Sequence, residues 1–294
     1  MISVLIPTYN RKCYNLAAEL SRQLVASSIV GEVIVLDDGS TDAGVKAENS
    51  KVAQLSYCRY VEQEKNQGSE RARINLASLA KYDLLLFVDA DTFPKDKNFI
   101  YKYLRAAEGY QAVSGGLDYR KTNGETEISP LRYLYGKRIE AHSARWRNSR
   151  VGKVVIGGNF MVTRYVFDKI SAESISNSYG YEELLISKAI CDAGATLIHI
   201  DNPVFHDDNL TSEQYLSKTR CAVENLSRHA VEYYPFSRLL HFHIGIERFK
   251  LCWLLTKLYK YTSRLMEINL KSKHPSVALF QFYKLCYFCC VEHL

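Results

Sequence analysis

The sequence predicts an α/β protein whose first half contains a largely parallel sheet and whose last third is helical. Short apolar runs alternate with helical patterns: the predicted strands are 2–6, 32–36, 57–61 and 84–88, and the predicted helices are 11–28 and 69–81. Such alternation indicates right-handed βαβ units, whose strands pair in parallel. The run Leu84–Val88 is entirely apolar, so we expect that strand to be buried on both faces.

The second half changes character and then becomes all-helical. Its patterns predict a helix at 131–147, strand material at 154–163 interrupted by two glycines, a helix at 182–193 that ends before Gly194, and a strand at 196–200. Three further helices are predicted at 212–232, 248–268 and 277–291. We therefore expect one α/β domain over 1–210 and a helical extension over 211–294.

The net charge of the chain is +6, and all of the excess lies in the helical extension. Residues 236–294 carry nine Lys and Arg side chains and three acids. Lys250, Lys257 and Arg264 recur every seven residues on a predicted helix that is rich in large apolar side chains. This combination favours an anionic membrane surface as a partner of the tail. A solvated basic helix face is the alternative.

The cysteines and the first residues predict the compartment. The eight cysteines follow no paired pattern, which favours a reducing cytosol. Cys286 and Cys289 form a C-x-x-C without a second pair or a suitable pair of histidines, so we predict small apolar residues on a helix rather than a metal or redox site. The chain starts with a strand pattern instead of a basic leader, and no apolar run approaches the roughly 20 residues of a spanning helix. We expect a cytoplasmic protein, held on the inner face of the membrane if the tail binds lipid.

Two acids, Asp89 and Asp91, directly follow the most apolar predicted strand. Ligands of open α/β sheets collect at the carboxyl ends of the strands. Mg²⁺ and Mn²⁺ prefer oxygen ligands, usually one or two carboxylates together with substrate phosphates. The pattern therefore predicts a divalent-cation site, and a solvated acidic turn is the alternative.

Polar side chains also follow the first two predicted strands. Asp37 and Asp38 come after strand 32–36 and precede Gly39, which permits a tight turn. A carboxylate here can accept hydrogen bonds from a base N–H or from ribose hydroxyls. After the first strand, Thr8 can bond a nucleoside and Tyr9 can stack on a base. Each segment taken alone is also compatible with ordinary turn chemistry.

In order and spacing, the segments 3–11, 32–42, 66–73 and 89–91 together resemble family-2 inverting glycosyltransferases of the GT-A fold. Three later segments are similar to that family's donor-sugar segment, its acceptor motif and a segment that supplies a metal-site histidine in some members: 157–160, 179–183 and 202–206. The resemblance covers about residues 1–210. It implies a Rossmann-like sheet for the nucleotide sugar over 1–120 and a smaller acceptor-side sheet within 121–210.

The resemblance also implies roles for individual residues. Residues that would bind the nucleotide sugar are Pro7, Thr8, Tyr9, Asp38, Arg73, Asp89, Ala90, Gly158 and Glu182. Asp91 would ligate Mn²⁺ or Mg²⁺, with Asp89 beside it and His206 completing the site; a purely structural His206 is the alternative. Glu183 would be the catalytic base, although the family usually has Asp there, and an acid that only stabilises a helix start is the alternative. Ile74 departs from the family pattern, which usually has Asn after the Ala-Arg pair.

The implied reaction is a single inverting displacement that moves a sugar from a nucleoside diphosphate, most commonly UDP, to a glycan or lipid-linked acceptor. The closest resemblance is to bacterial enzymes of polysaccharide or lipopolysaccharide synthesis, and no nucleic-acid partner is expected. Cations between 132 and 150 could meet a phosphate or form a solvated helix face. A sugar-phosphate nucleotidyltransferase is disfavoured because 7–11 contains no Gly. A nucleotide-sugar-binding subunit without catalysis is the second alternative.

Overall fold

The computed structural model describes residues 1–122, 128–150, 154–173, 182–208 and 210–292, without the side chains of 170–173 and 182. The described residues form two compact units. The first unit is drawn from Met1–Asp118, His142–Asn177 and Ile186–His206, and the second from Tyr119–Ala141, Ser178–Leu185 and Asp207–Leu294. The helical extension thus shares a unit with residues from the predicted acceptor half, 121–210.

The chain forms ten strands in the part that the structure describes: β1 Ile2–Thr8, β2 Gly31–Asp37, β3 Cys58–Glu62, β4 Leu84–Val88, β5 Thr92–Pro94, β6 Ala112–Ser114, β7 Leu117–Asp118, β8 Asn159–Thr163, β9 Leu197–His199 and β10 Val204–His206. Seven of them build one sheet in the order β3-β2-β1-β4-β8-β6-β9. The pairs among β1, β2, β3 and β4 are parallel, as predicted, whereas β8 runs antiparallel to both β4 and β6. The predicted α/β class is confirmed.

The described helices are α1 Tyr14–Ala26, α2 Ala43–Asn49, α3 Ser69–Leu79, α4 Phe99–Ala107, α5 Pro130–Tyr135, α6 Ala144–Asn148, α7 Arg164–Glu173, α8 Glu182–Asp192, α9 Ser212–Arg228, α10 Ala230–Tyr233, α11 Arg238–Arg248, α12 Cys252–Leu270 and α13 Val277–Glu292. None of these helices combines the length and apolar composition needed to cross a membrane.

The large sheet has an apolar core on each face. Leu86 and Val88 of β4 belong to one core, with side chains from α1 and α4. Leu85 and Phe87 belong to the other, with side chains from α3 and α7. Successive side chains of a strand point to opposite faces, so an uninterrupted apolar strand fits only between two covered faces. The prediction of a doubly buried strand at 84–88 is confirmed.

A second sheet has three short strands in the order β5-β10-β7. β10 pairs antiparallel with β5, and this register places His206 opposite Thr92. β10 pairs in parallel with β7. The small sheet therefore brings the end of β10 beside the residue that follows Asp91.

The second unit packs α5 against the C-terminal helices. Its core contains Leu131 from α5, Leu216 from α9, Met266 from α12, and Phe280 and Tyr283 from α13. Three boundaries differ from the sequence prediction. The predicted helix 131–147 is wrong, because α5 continues into a π-helical turn at Gly136–Glu140 and α6 is separate. The predicted helix 248–268 is interrupted at 249–251: its first residue ends α11, and the rest belongs to α12. The predicted helix 212–232 is interrupted at His229, which separates α9 from α10.

Candidate functional site

The loops at the carboxyl ends of β1 and β2 are tied together by Asn10. The side-chain oxygen of Asn10 accepts hydrogen bonds from the backbone N–H groups of Thr41 (2.8 Å) and Asp42 (3.0 Å). The backbone N–H of Asn10 donates to the hydroxyl of Ser40 at 2.7 Å. Asn10 has φ +50°, a left-handed conformation that Asn tolerates better than most side chains. Sequence reasoning did not select Asn10, although an Asn between two strand-end loops is a recognisable turn signal.

Thr8 and Tyr9, both predicted to meet a nucleoside, have different surroundings. Thr8 is buried, and its hydroxyl donates to the backbone carbonyl of Arg11 at 2.7 Å. That carbonyl also accepts a bond from the side chain of Asn49 at 2.8 Å. Tyr9 is 46% exposed at the end of β1. Thr8 therefore fixes the loop, while the ring of Tyr9 remains accessible to a ligand; Pro7, inside β1, pairs with Leu36.

Asp38 joins the loop after β2 to the loop after β3. Its buried carboxylate accepts hydrogen bonds from the backbone N–H groups of Gln67 (2.9 Å) and Gly68 (2.8 Å). Burial raises the pKa of Asp38, and the two amides act in the opposite direction. A Cβ on Gly39 would lie 2.6 Å from the backbone of Asn66, so only glycine lets these loops approach. The carboxylate of Asp37 is used internally: it accepts from the N–H of Ser40 and from the hydroxyl of Tyr60.

Asp89 faces Arg73. The Arg73 guanidinium is buried and donates to Oδ1 of Asp89 at 2.8 Å. Gly158 lies on the other side of the carboxylate, where an added Cβ would stand 2.8 Å from Oδ2 of Asp89. The backbone N–H of Asp89 donates to the carbonyl of Gly158 at 3.2 Å. The structure thus brings together three predicted site residues, Arg73, Asp89 and Gly158, at the end of β4; Ala90 follows in the turn.

Asp91 faces His206 instead. Oδ2 of Asp91 lies 3.6 Å from Nε2 of His206 and 4.0 Å from Nη2 of Arg11. All three side chains are partly exposed. Sequence reasoning missed Arg11, although its position after the first strand was a usable signal. Asp91 is therefore the meeting point of the loop after β1, the turn after β4 and the end of β10.

The residues around Asp91 fit a divalent cation. Two ligand atoms held by one ion at about 2.1 Å are separated by roughly 3 to 4 Å, and the Asp91–His206 distance lies in that range. A carboxylate suits Mn²⁺, and neutral imidazole is a common metal ligand in proteins. Both side chains are partly exposed, which leaves room for phosphate oxygens. Asp89 is the second carboxylate at the same strand end.

Glu183 lies half-buried at the start of α8, in the second unit. Burial raises the pKa of Tyr135, and the negative charges of Glu140 and Glu183 act in the same direction, so Glu183 lies within the electrostatic reach of Tyr135. The remainder of the predicted acceptor motif, 179–181, and the side chain of Glu182 lie outside the described residues.

Two of the cations between 132 and 150 are structural. Arg147 is buried and donates to the backbone carbonyls of Ser114, Gly115 and Ile200. In the second unit, buried Arg132 contacts a carboxylate oxygen of Glu140 at 3.0 Å and the hydroxyl of Tyr119. Neither guanidinium lies on a solvated helix face, and their contacts are with the protein itself.

Most of the site lies within a segment that matches a known family. A model of glycosyl transferase family 2 matches residues 3–171. The matched segment is more than half of the chain, and it includes Asp38, Arg73, Asp89, Asp91 and Gly158. The chain belongs to glycosyl transferase family 2. Glu183 and His206 lie beyond the matched segment.

Relatives in this family match over a limited length. A glycosyltransferase of Haemophilus influenzae, described as uncharacterized, is 31% identical over 93 residues, which are 32% of this chain and 37% of the relative. Glycosyltransferase GlyG of Streptococcus pneumoniae is 25% identical over 127 residues, 42% of each chain. The chain therefore spans about two fifths of the curated relatives it matches.

Solved structures of other glycosyltransferases share the fold. The mannosyltransferase PcManGT of Pyrobaculum calidifontis, solved with GDP-Man and Mn²⁺, has a TM-score of 0.60 at 15% identity and covers 99% of this chain and 85% of its own. TarS of S. aureus, solved with UDP-GlcNAc, has a TM-score of 0.52 at 14% identity, and the match covers 99% of this chain and 90% of the TarS chain. Glucosyl-3-phosphoglycerate synthase of Mycobacterium tuberculosis, solved with Mn²⁺ and UDP, has a TM-score of 0.52 at 21% identity. The match covers 78% of this chain and 79% of the synthase chain. The GT-A fold expected from the sequence is confirmed.

Proposed function

We propose that this protein transfers a sugar from a nucleoside diphosphate sugar, with inversion, to a hydroxyl of a glycan or lipid-linked acceptor. The observation that carries the proposal is the 3.6 Å approach of His206 to Asp91 at the carboxyl end of β4. An oxygen and a nitrogen ligand with open positions suit a divalent cation that also binds a diphosphate. PcManGT and glucosyl-3-phosphoglycerate synthase, both solved with Mn²⁺, support Mn²⁺ as the ion.

The loops after β1 and β2 provide the nucleoside pocket in this proposal. Tyr9 stacks on the base, and the carboxylate of Asp38 is held at the pocket by the backbone N–H groups of Gln67 and Gly68. Each carboxylate oxygen has two acceptor positions, so Asp38 keeps capacity for a base N–H or a ribose hydroxyl. UDP-sugars are the first choice, because glucosyl-3-phosphoglycerate synthase and TarS were solved with UDP and UDP-GlcNAc. GDP-sugars are the next to test, because PcManGT was solved with GDP-Man.

The chain's residues divide the catalytic work. Arg73 holds Asp89. Asp91 and His206, 3.6 Å apart, would hold Mn²⁺ or Mg²⁺, and such a cation would supply positive charge to the departing diphosphate. Arg11, 4.0 Å from Asp91, adds a second positive charge at the same place. Glu183 accepts the proton of the acceptor hydroxyl as that oxygen attacks the anomeric carbon, while the bond to the diphosphate breaks.

The surface of α12 supports a lipid-linked acceptor. Tyr261, Leu265 and Ile268 are 83%, 67% and 69% exposed, although each has a large apolar side chain. At 100° per residue these three form one stripe with Leu254, and exposed Lys257, Lys260 and Arg264 form the adjoining stripe. The acid of this helix, Glu267, binds Arg220 at 3.1 Å. Apolar and basic stripes side by side are typical of a helix that lies in the surface of an anionic bilayer.

We therefore propose a peripheral position on an anionic membrane, which suits a lipid-linked acceptor and a role in surface polysaccharide synthesis. The exposed aromatic and aliphatic side chains contribute by burial below the headgroups, and the cations by attraction to anionic lipid. A neutral bilayer offers only the first of these contributions. Binding to anionic vesicles should accordingly weaken with salt, whereas an entirely apolar contact would not.

Nucleotide-sugar hydrolysis with Mn²⁺ tests the catalytic proposal without knowledge of the acceptor. UDP- and GDP-sugars are incubated with the purified chain, and release of the free nucleoside diphosphate is measured with and without Mn²⁺. We expect Mn²⁺-dependent release that Asp91→Asn abolishes. Asp83→Asn is the matched control, because Asp83 is an exposed acid at the opposite end of β4. Donor binding without any turnover, across a wide set of acceptors, would favour the non-catalytic binding subunit.

A further inference from the structure

Three potential metal ligands meet in the interior of the helical unit, in a cluster made of His243, Cys252 and Cys289. A ring nitrogen and two sulfurs all lie within 4.8 Å of one another. The three residues come from α11, α12 and α13, and all are buried. Among the described residues this is the only such group of His, Cys, Asp and Glu side chains. The catalytic proposal uses none of the three.

The distance between two of these ligand atoms matches metal coordination. Sγ of Cys252 lies 3.6 Å from Nε2 of His243. With metal–sulfur and metal–nitrogen bonds of about 2.3 and 2.0 Å, tetrahedral angles separate the two ligand atoms by about 3.5 Å. A thiol–imidazole hydrogen bond gives a similar distance, so the two arrangements must be distinguished by experiment.

The surroundings favour a cluster that is electrically neutral. The ring of Phe288 packs edge-on against His243, with ring centroids 4.7 Å apart. Cys289 is fully buried, and Cys252 is only 5% exposed. Two uncompensated thiolates in such a place are unfavourable, whereas a divalent cation balances both charges.

We propose that His243, Cys252 and Cys289 bind a soft d¹⁰ cation that joins α11, α12 and α13. Charge balance selects Zn²⁺, and Cu⁺ shares the same ligand chemistry. On binding, the two thiols release their protons to solvent and both sulfurs bond to the ion together with the imidazole nitrogen. With three protein ligands the fourth zinc position is left to water.

Several sequence features explain why this site was not expected. The C-x-x-C of Cys286 and Cys289 has no second pair and no suitable pair of histidines, and it was interpreted as small apolar residues on a helix rather than a metal site. The structure uses Cys289 with residues from two other helices, and Cys252 follows the break at 249–251 that the sequence did not predict. Ligands distributed over three helices leave no local spacing to find.

The test uses the full chain, purified under reducing conditions, stripped with a chelator and reloaded with Zn²⁺, Cu⁺ or Co²⁺. We expect about one zinc per chain after reloading and, with Co²⁺, the near-ultraviolet charge-transfer band of a thiolate complex. Cys252→Ser and Cys289→Ser should each lose the band and the zinc. Cys286→Ser should retain both, because Cys286 is a buried cysteine of the same helix outside the cluster.

The catalytic proposal is kept separate by repeating the measurement in Asp91→Asn, which should retain zinc and the cobalt band. Selective retention of Cu⁺ would identify the monovalent ion in the same site. Absence of a thiolate–cobalt band in the reduced natural chain would overturn the proposal. This measurement does not depend on the folding of any variant. A disulfide between Cys252 and Cys289 in the chain purified without reductant, together with no metal uptake after reduction, would also overturn it.

Discussion

His206 lies against Asp91, although the two residues are far apart in the chain, because β10 pairs with β5. The register places His206 opposite Thr92, the residue that follows Asp91. Asp91 directly precedes β5, so this register brings the two ligand atoms within 3.6 Å of each other. A ligand at the end of a paired strand, as His206 is, loses little freedom when an ion binds, which favours tight coordination.

We predict that His206→Ala weakens Mn²⁺ binding by at least about 10-fold, because it removes a metal ligand. The measurement is a Mn²⁺ titration followed by electron paramagnetic resonance. His274→Ala is the control, since His274 is exposed in the helical unit. Equal affinities for the two variants would assign His206 a purely structural role.

Arg73→Met should lower the free energy of unfolding by roughly 1–3 kcal/mol and reduce donor binding, because it removes the 2.8 Å contact with Asp89. The estimate is below that for a fully buried pair because the side chain of Asp89 is 31% exposed. Denaturant unfolding gives the energy, and calorimetry with a nucleoside diphosphate gives the binding. The control is Arg71→Met, two positions earlier on the exposed side of α3. If Arg71→Met changes the free energy of unfolding and the nucleotide affinity as much as Arg73→Met does, the Arg73–Asp89 ion pair does not account for either change.

Gly158→Ala should impair donor binding more than folding. The new methyl group would stand 2.8 Å from Oδ2 of Asp89, so the carboxylate must move. The affinity for Mn²⁺ with nucleoside diphosphate reports this displacement, and the melting temperature reports the fold. Gly109→Ala serves as the control because an added Cβ there has no neighbour within 4 Å. Unchanged affinity in Gly158→Ala would mean that the position of Asp89 is unimportant.

Asp38 should make stability depend on pH. Burial raises its pKa in the folded state, so its contribution to stability is fully present below its unfolded pKa of about 3.9 and is lost as the pH rises through the folded pKa. Relative to Asp38→Asn, which cannot ionise, the natural chain should therefore lose free energy of unfolding as the pH rises from the unfolded pKa through the folded pKa. Melting curves of both proteins across this range give the difference. A difference that is constant or grows with pH would contradict the assignment.

Neutralising Lys257 and Arg264 together should weaken binding to anionic vesicles by roughly 30-fold, because each cation contributes about 1 kcal/mol near such a surface. Vesicle co-sedimentation at low and high salt measures the effect. Replacing Leu265 by Asp should weaken binding at both salt concentrations, since it removes an apolar contact. Tyr57→Asp is the control, because Tyr57 is an exposed tyrosine of the first unit. Equal binding by all these proteins would exclude α12 as the membrane contact.

The parallel part of the sheet and the acids after it could be predicted because their signals are local. Leu84–Val88 must be buried on both faces, and Asp89 and Asp91 follow it directly. The pairing of His206 with Asp91 is a matter of strand register between distant segments. Short strands such as β5 and β10, each three residues long, give too little periodicity to be recognised.

Other features escaped prediction because tertiary packing decides them. A cation-rich stretch suggested a solvated or phosphate-binding helix, yet Arg147 is buried and bound to backbone carbonyls. The segment 249–251 contains neither Pro nor Gly, so nothing local indicated the break between α11 and α12. Arg11 was passed over because the sequence does not reveal which way a loop side chain points.

The most direct measurement is the binding of Mn²⁺ together with a nucleoside diphosphate, followed by electron paramagnetic resonance in the natural chain, Asp91→Asn and Asp83→Asn. UDP and GDP are tested first, followed by ADP, CDP and dTDP. We predict that one of them tightens Mn²⁺ binding in the natural chain and in Asp83→Asn, and that Asp91→Asn loses this effect. If Asp91→Asn binds the ion and the nucleotide as tightly as the natural chain, the acids after β4 do not share a cation with a diphosphate.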